Sequence, residues 1–188
     1  MAKNDARRGE LGDHAVAVLA REGARGLTHR AIDRAAEVPT GTTSNYFPDR
    51  EAIIAAILER IGIRLAPSNS EEAGIGEAGR AGFASYMNAL VGRLTSDRDA
   101  AIALFELRLE ATRRPAVHDA LAHWARSGLD ADVAFHRQQG LPGDREHVVL
   151  FHYAITGLIL DQLTVPIDPA TEVSTTIARL VDGLLPER

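Results

Sequence analysis

Between Leu27 and Ile61 the chain reads LTHRAIDRAAEVPTGTTSNYFPDREAIIAAILERI, and breaks at Pro39 and Pro48 divide it into three helical pieces with no room for a flexible loop. Thr28 is a good N-cap, and Ile32, Ala35 and Ala36 recur at spacings of three and four, which places them on one face of a short helix. Val38 plugs the turn that follows. Pro39 has a fixed φ and no N–H to lose, so it suits the start of a helix and predicts a second short helix over Thr40–Phe47. Pro48 ends that helix and Asp49 caps the next, whose apolar stripe is Ile53, Ile54, Ile57, Leu58 and Ile61. Two short helices across a tight turn, supported by a longer one, outline a helix-turn-helix.

The second helix carries the functional signal. Thr40, Gly41, Thr42, Thr43, Ser44 and Asn45 are small or polar, which is poor material for a core but lets a backbone approach the edges of bases in a major groove. Gly41 permits close approach although it costs about 1 kcal/mol of helix propensity. Thr40, Thr42, Thr43, Ser44 and Asn45 are the expected base readers. Thr28, Tyr46 and Arg50 are the expected phosphate contacts, Arg50 because it stands at the positive end of a helix dipole. Phe47 turns inward. The same pattern also fits an ordinary surface helix-turn-helix that meets no DNA.

Gly41-Thr42-Thr43-Ser44-Asn45-Tyr46-Phe47-Pro48, preceded by Ile32, Ala35, Ala36 and Val38 and followed by Arg50-Glu51, closely resembles the DNA-binding domain of the TetR family of transcriptional regulators. The resemblance spans about residues 8–62, roughly a third of the chain. Glu37 stands where members often have Gly, which suggests that residue 37 need not adopt a left-handed conformation. Pro39 replaces a frequent Ser, Arg50 replaces a frequent Lys, and Ser44 stands where many members have Tyr. The resemblance implies a homodimer that binds an inverted-repeat operator in double-stranded DNA, usually as a repressor, and that responds to a small-molecule effector. It also implies a first helix bracing the motif, with Arg7 and Arg8 as a basic arm; a solvated terminus is the other reading of these two.

The formal net charge of −5 looks wrong for a DNA binder until the chain is divided. Residues 1–65 hold 10 Lys+Arg against 9 Asp+Glu, whereas residues 66–188 hold 11 against 17, so the acidity lies in the C-terminal part. Local phosphate contacts rather than global charge set the salt-dependent part of affinity. The absence of cysteine excludes a disulfide framework and thiolate metal sites. MAKNDARRGELGDH has no apolar signal core and no run approaches a membrane span, so the expected location is cytoplasmic, without membrane association.

Residues 5–22 form an amphipathic helix through Leu11, Ala15, Val18 and Leu19, ended by Gly23 and Gly26. PSNSEEAGIG, residues 67–76, is the clear linker. Beyond it, helices are predicted over Gly79–Leu94, from a Ser96/Asp99 capping box to about Thr112, from Pro115 to a stop at Gly140–Gly143, over Asp144–Thr164, and after a cap at Asp168-Pro169. No strand alternation appears, so the fold is all-α: an N-terminal three-helix helix-turn-helix DNA-binding domain (1–48), a connecting helix (49–66) and a C-terminal helical ligand-binding and dimerisation domain (67–188). Val148–Leu160 is apolar almost all round, which asks for burial on every side and points to one face in the core and another against a second subunit. Closure of the monomer core alone is the other possibility.

Phe83, Tyr86, Met87, Leu90, Phe105, Trp124, Phe151 and Tyr153 include most of the chain's aromatics and suit an apolar lining, with Arg108, His152 and Thr156 as polar groups able to orient a ligand. Residue by residue these read as core; as a set, the resemblance implies an effector cavity. His118 and His123 are five apart, as are His147 and His152, so neither pair has the i, i+4 spacing of a helical metal site. No cofactor and no metal is expected, and no nucleophile elbow or phosphate loop marks an enzyme. The competing functional class is an all-α small-molecule-binding protein or enzyme in which the N-terminal helices are only scaffold.

Overall fold

The computed structural model describes residues 2–66 and 79–185, which are helical with no strand among them. The helices are α1 (Ala2–Gly26), α2 (His29–Ala35), α3 (Thr42–Tyr46), α4 (Arg50–Leu65), α5 (Arg80–Ser96), α6 (Arg98–Ala111), α7 (Pro115–Gln138), α8 (Arg145–Leu163) and α9 (Val173–Leu184). The expected linker lies outside the described residues.

The chain forms two compact units, residues 1–66 with 97–124 and residues 67–96 with 125–188. Residues 97–124 join the N-terminal helices because α6 packs on α1 and α4. The first unit is built around α1, which packs on α2, α4 and α6. Leu11, Ala15, Val18 and Leu19 meet Leu27, Ile32, Phe47, Ile53, Ile57, Ile61 and Leu107 in one core. Burying each of the larger side chains among them contributes about 1.5–3 kcal/mol. Charged groups then fix the helices. Arg60 donates to both carboxylate oxygens of Asp13 at 3.0 and 2.8 Å, and Arg64 forks onto Asp97, whose carboxylate also caps α6 through Ala100 N at 3.2 Å. Ser96 is therefore not the cap; it closes α5, its hydroxyl donating to Arg93 O. α1 bends at Gly23, where φ is +68°.

The second unit packs α5, α8 and α9 on one another. Phe83, Met87, Val91, Val133, Phe151, Ile155, Ile159, Ile177 and Val181 form its core. Gly140 and Gly143 both take positive φ at the predicted stop, and Asp144 caps α8 in a capping box with His147. Asp168 does not cap α9. Its carboxylate accepts from Ala170 N and Thr171 Oγ within the preceding loop, and α9 begins after Glu172 without a side-chain cap. Within this chain α8 buries one face only: Phe151, Ile155 and Ile159 are buried, while Leu150, Tyr153 and Leu160 are exposed, Tyr153 at 72%.

Candidate nucleic-acid interface

Thr28 caps α2 as predicted, its hydroxyl oxygen accepting from Ala31 N at 3.1 Å, and Asp49 caps α4 through Ala52 N at 2.8 Å. Between them the reading helix is shorter than its pattern suggests. Pro39 and Thr40 belong to the turn, Thr42 N and Thr42 Oγ both donate to Pro39 O, and Gly41 is a left-handed N-cap with φ +94°. The turn also holds a correction. Glu37 has φ +53°, so this position is left-handed although it is not Gly. Ala36 N and Val38 N continue into α2 by donating to Ile32 O and Asp33 O, and that bonding requires the reversal whatever the side chain.

What holds α3 in place is a residue the sequence pattern does not single out. Asp33, only 2% exposed, accepts from Gly41 N (2.7 Å) and Thr43 N (2.7 Å) and from the Thr43 hydroxyl (2.6 Å). A carboxylate on α2 thus takes up the orphan amides at the start of α3, which Gly41 has no side chain to satisfy. Burial pushes the Asp33 carboxyl up, but the hydrogen bonds from Thr43 and Gly41 outweigh it and hold the group below the ordinary carboxylate range. The available signal was an acidic residue beside the buried Ile32, eight and ten positions before two small residues.

The far end of α3 is fixed as well. Arg8 donates to Tyr46 O at 3.1 Å with its guanidinium 4.8 Å from the centre of the Phe47 ring, and the His29 ring nitrogen Nε2 lies 2.7 Å from Phe47 O. Arg7 pairs with Glu10.

With both ends held, the expected readers separate. Thr40, Ser44 and Asn45 are exposed, and Gly41, Thr42 and Tyr46 are half-buried at the surface. The Ser44 hydroxyl donates to Gly41 O, which leaves its oxygen as an acceptor. Thr43 is completely buried against Asp33 and has no route to a base. Arg50 is also withdrawn. It donates to Leu27 O (2.8 Å) and Ala24 O (2.6 Å) and lies 3.9 Å from Glu110, a buried carboxylate that also pairs with Arg113 and Arg114. It ties α4 to the end of α1 instead of reaching outward. Exposed cations stand instead on α2: Arg30, and Arg34, whose nearest carboxylate is Glu22 at 4.0 Å.

The expected effector-lining residues divide similarly. Phe83 and Phe151 meet edge to face at 4.6 Å, Met87 is buried nearby in sequence, Tyr86 lies tilted against Phe135 with ring centres 5.1 Å apart, and Leu90 is half-buried. Phe105, Arg108 and Trp124 belong to the other compact unit. Arg108 is exposed, and so is His152, whose Nε2 faces Asp132 Oδ2 at 2.9 Å. A residue one position from Phe151 is turned by about 100° from the buried face. His136, absent from the expected lining, is buried at 5% exposure with its ring 5.5 Å from Phe83. Its place on the face of Leu129 and Val133 was the available signal. Among the described residues no group of three His, Asp or Glu could hold a metal, and no helix is long and apolar enough to cross a membrane.

The family described as tetracyclin repressor-like, C-terminal domain, matches residues 78–186. Solved structures extend the likeness across the N-terminal helices. The multidrug binding protein EbrR complexed with imidazole is 25% identical over 97% of this chain and 92% of its own, with a TM-score of 0.69. GusR of Salmonella enterica is 21% identical over 95% and 94% (TM-score 0.70), and the TetR-family member SCO1917 of Streptomyces coelicolor A3 is 23% identical over 96% and 99% (TM-score 0.68). No curated protein matches in sequence. With more than half of its length matching the family's C-terminal domain and its helices following the family's fold throughout, the chain belongs to the TetR family of transcriptional regulators.

Proposed function

We propose that this regulator acts as a homodimer that reads an inverted-repeat operator with two copies of α3 and represses transcription until a small molecule releases it. The observation that carries the reading is the Asp33 clasp, which fixes the start of α3 so that Thr40, Ser44 and Asn45 face outward together. Asn45 has an amide able to bond an adenine edge bidentately, and Thr40, Thr42 and Ser44 add hydroxyls and methyls. Thr28, Tyr46 and the exposed Arg30 and Arg34 supply phosphate contacts, which set register without reading sequence. Gly41 lets the backbone approach.

The exposed apolar face of α8, with Leu150, Tyr153 and Leu160, supports dimerisation through α8 and α9. A two-fold dimer asks for two-fold symmetry in the DNA. The buried aromatic residues of the second unit support effector binding, as does EbrR, which binds imidazole in its solved structure. An effector shifts the DNA-binding equilibrium only by its differential affinity for the two states.

Selection of sites from random duplex DNA, at near-physiological and at raised salt, tests the reading. Enrichment of an inverted repeat, lost steeply as salt rises, is the expected result. A protein that enriches no sequence, or only single half-sites, would refute the dimeric operator reading.

A further inference from the structure

Phe83 of α5, His136 of α7 and Phe151 of α8 form a three-ring cluster inside the second unit, each Phe83 contact edge to face. The His136 Nε2 is out of contact with water and has no hydrogen-bond partner. Among the described residues the buried polar side chains are Asp33, Thr43, Glu110 and His136, and the first three belong to the other unit. His136 therefore places the one buried polar side chain described in this unit against an apolar, aromatic wall. Burial pushes its pKa below the ordinary histidine value, with backbone hydrogen bonds at Pro142 and Gly143 opposing, which favours the neutral ring. A neutral imidazole nitrogen is a donor or an acceptor, according to tautomer.

We propose that His136 Nε2 anchors an effector subsite for a neutral, flat, apolar molecule carrying a hydroxyl group. Aromatic edges favour a flat ligand face. No described buried charge in this unit would balance an ion, and a hydroxyl both donates and accepts, so it matches either tautomer of the ring. The inference rests on the ligand-responsive reading above and adds to it the ligand's chemistry and its polar anchor.

The test uses the full chain with two probes of like shape, 2-naphthol and naphthalene, followed by calorimetry and by the 15N resonance of the His136 ring. We expect 2-naphthol to bind about tenfold more tightly, in line with one buried hydrogen bond, and to move the Nε2 resonance. His136→Leu should abolish the preference while naphthalene still binds; His136→Gln, which keeps hydrogen-bonding capacity, should retain part of it. Equal affinity for the two probes, absence of binding by both, an unmoved Nε2 resonance or a preference that survives in His136→Leu would each overturn the subsite. Release of selected operator DNA is read separately. Binding that depends on His136 without DNA release would support the subsite and refute its role in regulation.

Discussion

The Asp33 clasp sets the largest consequence for a single side chain. Asp33→Ala removes the acceptor from three donors at once, and Thr43, completely buried, has no water to replace it. Hydrogen bonds to a charged group contribute about 1.5–3 kcal/mol each, but the Thr43 hydroxyl can turn to another acceptor and Gly41 is half-open to solvent, so the three do not add fully. The expected loss is about 3–5 kcal/mol. Asp33→Asn is a finer probe. Its oxygen can keep both Thr43 bonds, but its NH2 then faces the Gly41 N–H, which loses one charge-assisted bond and opposes two donors, for about 2–3 kcal/mol. Urea unfolding measures the totals, and amide hydrogen exchange at Gly41 and Thr43 localises them. Exchange there should accelerate in Asp33→Asn more than at Ile57, deep in the same core. A loss under about 1 kcal/mol for Asp33→Ala, with unchanged protection of both amides, would refute the clasp.

Other expectations follow from the same geometry. Glu37→Gly relieves a left-handed residue, worth about 1–2 kcal/mol, against about 0.5–1 kcal/mol of added chain entropy in the unfolded state; a net rise near 0.5–1 kcal/mol should appear as a higher urea midpoint, and a lower one contradicts the strain argument. Arg50→Ala removes two hydrogen bonds to backbone carbonyls and should destabilise the protein by about 2–4 kcal/mol while leaving the salt slope of DNA binding unchanged; Arg30→Ala should do the reverse, flattening that slope by about 0.9 for each phosphate the side chain had neutralised. Asn45→Ala should cost about 1–3 kcal/mol on the preferred operator and relax the choice at one base pair, which competition between single-base variants measures. Asp97, held low by the hydrogen bond from Arg64 against the opposing effect of burial, and Asp33 both have depressed folded pKa values. Their stabilisation is full above the unfolded value near 3.9 and is lost as pH falls through the folded values, so stability should drop below about pH 4, and less steeply in an Asp33→Asn, Asp97→Asn double variant.

The helices and several of their ends were legible in the chain itself. Period and capping are local, so Thr28, Asp49 and Asp144, the stripes of α1 and α4, and the glycine stop after α7 could be placed from neighbouring residues alone. The helix-turn-helix was legible for the same reason, since its breaks and its run of small residues are contiguous. Tertiary structure decided which polar side chains are free. In a five-residue helix each step turns about 100°, so whether Thr43 or Asn45 faces outward depends on which face is pinned, and a carboxylate on another helix does the pinning. Arg50 carries the charge of a phosphate ligand, yet carbonyls 23 and 26 residues away claim it. His136 is buried against Phe83 whereas His152 is exposed and faces Asp132, and Glu37 is left-handed because backbone bonds into α2 require it despite its side chain. Local sequence carries propensity, whereas the partner of a charged or polar group is set by which distant atoms packing brings within about 3 Å.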